Sequence, residues 1–122
     1  MTQRLLRAVR GATTCEANTA EAIGVVTVEL LGQLMERNGL AHDDVVSVIF
    51  TTSPDLTAAF PATAARSIGF GDVPLLCASE IDVPGSMRRC VRILLHVYAD
   101  PAVPIHHVYL HDARALRDDL PE

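Results

Sequence analysis

All ten basic side chains of the chain are arginines, and lysine is absent. An arginine guanidinium is a planar fork that meets a carboxylate or phosphate through two hydrogen bonds at once. Two of the ten sit in apolar surroundings. Arg10 closes a short apolar run, and Arg92 lies between Cys90-Val91 and Ile93-Leu94. A charge in such company is rarely buried unless paired. Glu80 and Asp82 are candidate partners for an internal ion pair with Arg92. The sharper reading is that several arginines, one tyrosine and one glutamate line a pocket for a small dianion. GC-rich coding accounts for the lack of lysine and the many alanines, but not for where individual arginines fall.

Other chemistries find less support. His107 and His111 are four apart, a metal-ligand spacing on a helix, but with His106 they read as a strand with solvent-facing histidines. No cysteine or acid completes a ligand set at a familiar spacing. Gly69-Phe70-Gly71 lacks the third glycine and following helix of a dinucleotide loop. Cys77 has no histidine or asparagine at a catalytic spacing and reads as a small buried residue. No nucleophile elbow or phosphate-binding loop occurs. The expectation is a site with no metal and no cofactor.

Length and composition set the frame. With 122 residues, one domain spanning 1–122 is expected. With glycine counted and tyrosine left out, 65 of 122 residues, or 53%, are apolar, above the usual ~45–50%; that is too many for a disordered chain and points to apolar surface covered by another subunit. The longest run without a charged residue, Pro101 to His111, is eleven residues, short of the roughly 18 that a membrane helix needs. Net charge is −5, which argues against nucleic acid as the main partner. Three cysteines form no paired framework, as in reduced cytoplasmic proteins. Arg4, Arg7 and Arg10 interrupt the N-terminus before any long apolar run develops, unlike a signal peptide.

The elements that must position these residues follow from periodicity. Leu5–Arg10 reads as a strand, with Gly11 opening a Gly-Ala-Thr-Thr turn. Asn18 and Thr19 are candidate N-caps, with Glu21 as capping-box partner of Asn18. Ile23, Val26, Leu30 and Leu34 mark a helix to Asn38, closed by Gly39. Val45–Thr51 is a β-branched strand. Pro61 opens a second helix to about Ile68, stopped by Gly69. Pro74–Ser79, Arg89–Tyr98 and Ile105–His111 read as three more strands, with a turn at Pro84-Gly85. The order is strand, helix, strand, helix, then three strands. The expected class is α+β (α/β): a five-stranded mixed sheet with helices packed on one side.

Several segments carry a more specific resemblance: Arg7-Ala-Val-Arg10-Gly-Ala-Thr-Thr14, Thr52-Ser-Pro-Asp-Leu-Thr-Ala-Ala-Phe60-Pro-Ala62, Val73-Pro-Leu-Leu-Cys77, Glu80-Ile-Asp-Val, Cys90-Val-Arg92, and His107-Val-Tyr109-Leu followed by Leu116-Arg117. Their order and spacing resemble the monofunctional, trimeric chorismate mutases of the pseudo-α/β-barrel class, from Arg7 to about Leu120. The resemblance implies a cytoplasmic homotrimer with active sites between neighbouring subunits. It implies the Claisen rearrangement of chorismate to prephenate on the route to phenylalanine and tyrosine. The reaction needs no proton transfer or covalent intermediate, which suits the absence of a nucleophile motif.

The resemblance assigns residues as follows. Arg92 matches the arginine that reaches the ether oxygen and a substrate carboxylate. Arg10 and Tyr109 match the pair that grips the enolpyruvyl carboxylate. Glu80 matches the acid that accepts a hydrogen bond from the ring hydroxyl, and Cys77 beside it contributes mainly through its backbone. Phe60, Leu75 and Leu116 match apolar positions of the cleft. Arg66 and Arg117 match residues at its mouth. Thr63 stands where a lysine is common, so one charge at the mouth is missing, which Arg114 partly replaces. Leu76 stands where a threonine is common. The tail that covers the site in relatives is short here. The alternative is a repurposed homologue that acts on or binds a related small dicarboxylate such as isochorismate.

Overall fold

The computed structural model describes residues 4–117, without the side chain of Arg117. Strand β1 (Leu5–Thr14) leads to helix α1 (Ala20–Arg37), strand β2 (Val45–Thr52) and helix α2 (Pro61–Ala65). Strands β3 (Leu75–Ser79), β4 (Cys90–Ala99) and β5 (Val108–Tyr109) complete the sheet, and a 3-10 helix covers His111–Arg117. The sheet order is β3-β2-β4-β1-β5. Strand β4 runs antiparallel to both β1 and β2, while β2 with β3 and β1 with β5 are parallel. This is the mixed sheet that the element order implied.

The pleat separates two faces. Val9, Val48, Phe50, Ile93, Leu95, Val97 and Val108 point to one side and bury against Leu30, Leu31 and Leu34 of α1 and Ala62 and Ala65 of α2. Each fully buried Leu, Ile or Phe here contributes roughly 1.5–3 kcal/mol. The alternate residues Arg92, Leu94, His96 and Tyr98 of β4 face the other way, away from both α-helices. Among the described residues, the C-terminal 3-10 helix and Met87 cover part of that second face, where Ala113 packs with Ala12 and Cys90. Leu6 and Leu76 stay 57% and 62% exposed.

The structure corrects several boundaries. Strand β1 runs through Thr14, so the Gly11-Ala-Thr-Thr stretch is strand, not turn. Gly11 is needed for close approach: a Cβ there would lie 3.0 Å from both Leu30 Cδ1 and the Val108 carbonyl oxygen. Thr19, not Asn18, caps α1, its hydroxyl accepting from the Ala22 N–H at 3.1 Å. Asn18 instead accepts from the backbone N–H groups of Thr57 and Ala58. Helix α2 ends at Ala65, and a wider π-type turn follows over Arg66–Phe70. The chain swings out there through Gly69 at φ 101°, a value that other residues rarely adopt.

The fifth strand is much shorter than expected. Only Gly11–Val108 and Ala12–Tyr109 pair, and His111 at φ 53° turns the chain out of the sheet. The alternation survives the shortening: Val108 and Leu110 enter the core while Tyr109 lies on the second face.

Candidate active site

The register builds a row across all five strands. Ala78 pairs with Thr51, Thr51 with Arg92, Arg92 with Ala12, and Ala12 with Tyr109. Directly paired residues share a face and stand about 5 Å apart. Arg10 is two positions before Ala12, so it projects from the same face. Residues 10, 92 and 109, far apart in sequence, are thereby set side by side on rigid strands. Ala12 between them is small and buried, so the larger side chains rise around it. A cleft of about 110 Å³ results, lined by Arg10, Gly11, Ala12, Arg92, Tyr109 and Leu116.

Glu80 joins this group from the end of β3. Its Oε2 lies 3.7 Å from Arg92 Nε and accepts a short hydrogen bond from the Thr51 hydroxyl. The ion pair with Glu80 weighed from the sequence therefore forms, whereas Asp82 pairs with Arg88 at 3.6 Å. The Arg92 and Glu80 side chains are 41% and 35% exposed, so the pair is open to a ligand and contributes little to stability. Arg92 Nε itself is buried and makes no hydrogen bond. Beneath it, burial pushes the Cys90 thiol above its ordinary range, against the opposing charge and hydrogen bond of Arg92. The thiol therefore stays protonated at neutral pH and is a poor nucleophile. Burial raises Cys15 in the same way.

On the other flank, the Arg10 backbone N–H donates to His107 Nδ1 at 3.0 Å. Leu116 reaches the cleft because the 3-10 helix folds back over the sheet. The Ala113 N–H donates to the Leu110 carbonyl, and the Leu110 N–H to the Ala12 carbonyl. His111 lies 2.8 Å from Glu29 of α1, fastening the start of that turn. The three histidines of the segment thus have separate settings, and no group of three His, Cys, Asp or Glu among the described residues could hold a metal ion.

One chain does not gather every expected residue. Arg10, Arg92, Tyr109 and Leu116 meet in the cleft, with Glu80 against Arg92. Leu75 and Cys77 turn their side chains to the helix-side core. Phe60 precedes α2 and is 68% exposed, and Thr63 and Arg66 are exposed on the same helical segment. Helix α2 packs on α1 and β3, across the sheet from the cleft. Arg114 lines a neighbouring cleft of about 420 Å³ with Arg37, His106, His107 and Tyr109. The Arg117 side chain and the tail after it lie outside the described residues. Thr51 was not singled out from the sequence, and His107 was weighed there only as a metal-ligand candidate and as part of a motif segment. Nothing in the spacing of Thr51 and Glu80, or of Arg10 and His107, betrays their contacts.

The cleft thus brings two guanidiniums and a phenol together, with Glu80 against one of the guanidiniums. Comparison with known proteins gives the class. The profile of the family described as chorismate mutase type I matches residues 6–120. The chorismate mutase AroH of Thermus thermophilus is 48% identical over 118 residues, covering 95% of this chain and 97% of that protein. The AroH of Bacillus subtilis is 42% identical, covering 95% and 93%. The structure of a chorismate mutase from Clostridium thermocellum superposes with a TM-score of 0.84 at 47% identity, covering 89% of this chain and 98% of that one. The chain belongs to the chorismate mutase type I family, whose members are isomerase-type enzymes.

Proposed function

We propose that the protein converts chorismate to prephenate in a cleft that one subunit's Arg10, Arg92 and Tyr109 share with a neighbouring subunit of a homotrimer. The observation that carries this is the cross-strand row Thr51–Arg92–Ala12–Tyr109 with Arg10 on the same face. In the Claisen rearrangement one C–O bond breaks as one C–C bond forms within a single molecule. Negative charge develops on the ether oxygen, and a fixed guanidinium there stabilises the transition state without reorganising. Arg92 takes that role. Arg10 and Tyr109 hold the enolpyruvyl carboxylate, so that the substrate keeps the compact conformer in which the reacting carbons are close. Glu80, steadied by Thr51, accepts a hydrogen bond from the ring hydroxyl.

The remaining residues complete the cleft. Leu116 covers it from its own subunit. Phe60, Thr63 and Arg66 come from the neighbour, since in their own chain they lie across the sheet from Arg10 and Arg92. Leu75 and the Cys77 backbone belong to the ring-binding wall, and Arg117 to the mouth. The bare apolar face carrying Leu6 and Leu76 supports a trimer, because a single chain leaves it open to water. Three free cysteines suit a reducing, cytoplasmic setting, and membership of the family supports a role in phenylalanine and tyrosine biosynthesis. The family match favours chorismate over isochorismate or another dicarboxylate.

The deciding experiment mixes purified protein with chorismate, follows its absorbance and identifies the product. Saturable formation of prephenate is expected. An intact trimer that leaves chorismate unchanged would overturn the reading.

A further inference from the structure

Strand β5 is the weakest-anchored element of the candidate site, with only two paired residues. Arg10 lies one position before the β1–β5 ladder begins. Its N–H reaches toward β5 and meets the His107 ring, whose Nδ1 accepts at 3.0 Å. The side chain thus supplies the ladder bond that the backbone of so short a strand does not. The approach to His107 is itself clamped. Asn38, at the end of α1, accepts from the His106 N–H at 2.7 Å and donates to the His106 carbonyl at 2.9 Å. A continuous set of bonds therefore runs from the end of α1 through residues 106 and 107 to the backbone of Arg10.

We infer that His107 is a positioning residue for substrate binding: its neutral imidazole holds the Arg10 backbone so that the guanidinium meets the substrate carboxylate. The inference rests on the reading of Arg10 as a carboxylate grip. An imidazole nitrogen accepts a hydrogen bond only when it carries no proton, so the proton of this ring sits on Nε2. Protonation turns Nδ1 into a donor that faces the donor of Arg10. Among the described residues, the charged and titratable groups that line the cleft beside the ring are Arg37 at the end of α1, His106 and Tyr109 on its own segment, and Arg114 on the C-terminal 3-10 helix. Acidification therefore loosens Arg10 while Arg92 and Glu80, on other strands, keep their places.

The test compares wild type, His107→Asn, His107→Ala and Arg10→Ala in steady-state kinetics with chorismate across the range where imidazoles titrate, around pH 6.5. Circular dichroism checks the fold of each. Asparagine Oδ1 falls where Nδ1 was and does not titrate in this range. Wild type is expected to show a rise in KM in acid; His107→Asn is expected to keep KM within about twofold of wild type at pH 8 and to lack that rise. His107→Ala is expected to raise KM about three- to tenfold at every pH, with kcat changed less. A folded His107→Ala or His107→Asn whose KM profile tracks wild type across the range overturns the inference. If Arg10→Ala leaves KM unchanged, the grip itself is wrong. If Arg10→Ala raises KM but the His107 variants follow wild type, only the role of His107 fails.

Discussion

Arg92 is flanked in the row by Thr51 and Ala12, follows Cys90 by two positions on the same face of β4, and has Glu80 at its Nε. On the proposed mechanism this placement matters because a guanidinium already held where charge develops costs no reorganisation during the reaction. Arg92→Ala is expected to lower kcat by about a hundredfold or more. Arg92→Lys keeps the charge but loses the fork, and should recover only part of the loss. Both are read from the rate of chorismate consumption. A kcat within tenfold of wild type in the alanine variant would remove Arg92 from the ether oxygen.

At the scale of elements, the site depends on how strands begin and how closely they approach. The start of β4 is clasped by the Ser53-Pro54-Asp55 loop. The Ser53 hydroxyl accepts from the Cys90 N–H, and Asp55 Oδ2 accepts from the Arg89 N–H, both at 2.9 Å. Arg89 sits at φ 50°, so these bonds hold a conformation the residue would not choose alone. Burial on its own would raise the Asp55 carboxyl, but hydrogen bonds from the Ser53 hydroxyl and the Arg89 backbone outweigh it and hold the carboxyl below its ordinary value. A depressed carboxyl stabilises the fold above its unfolded value of about 3.9, and that stability disappears as pH falls through the folded-state value. The melting temperature of Asp55→Asn should therefore fall furthest below wild type near neutral pH, and the two should converge in strong acid. A constant gap would assign the effect to packing.

The second close approach is at Gly11, where α1 and β5 both press on β1. In Gly11→Ala the new methyl meets Leu30 and the Val108 carbonyl at 3.0 Å. The carbonyl belongs to the ladder and cannot step aside without moving Tyr109. A loss of about 1–3 kcal/mol is expected, measured by urea unfolding at fixed protein concentration, together with a higher KM.

At the scale of the whole molecule, the sheet has one face filled by helices and one left largely bare, with catalytic candidates divided between the two sides. On the proposed reading, Phe60 and Arg66 serve the Arg92 cleft from another copy. This gives a sharp expectation. Arg92→Ala and Phe60→Ala trimers, each impaired, should regain activity when unfolded together and refolded as mixed trimers, because some interfaces then combine an intact Arg92 with an intact Phe60. Light scattering should report three chains per particle for both parents and the mixture. Mixed trimers without recovery would place Phe60 outside the site.

The sequence by itself determined the element order, the long amphipathic helix and the buried strands, and it singled out Arg10 and Arg92 as charges in apolar runs. Those follow from local periodicity and from side-chain type: a guanidinium in an apolar run is visible without a fold. Its motif segments also carried the family. The tertiary structure decided what depends on register and on contacts between distant segments. Gly11 was misread as a turn because the crowding that requires glycine comes from Leu30 and Val108, remote in sequence. The fifth strand was drawn too long because alternation continues past the point where pairing ends at His111. The row that aligns Arg92, Ala12 and Tyr109, the hold of Thr51 on Glu80, and the bond from Arg10 to His107 exist only once strands are in register, since backbone pairing sets which side chains share a face and at what spacing.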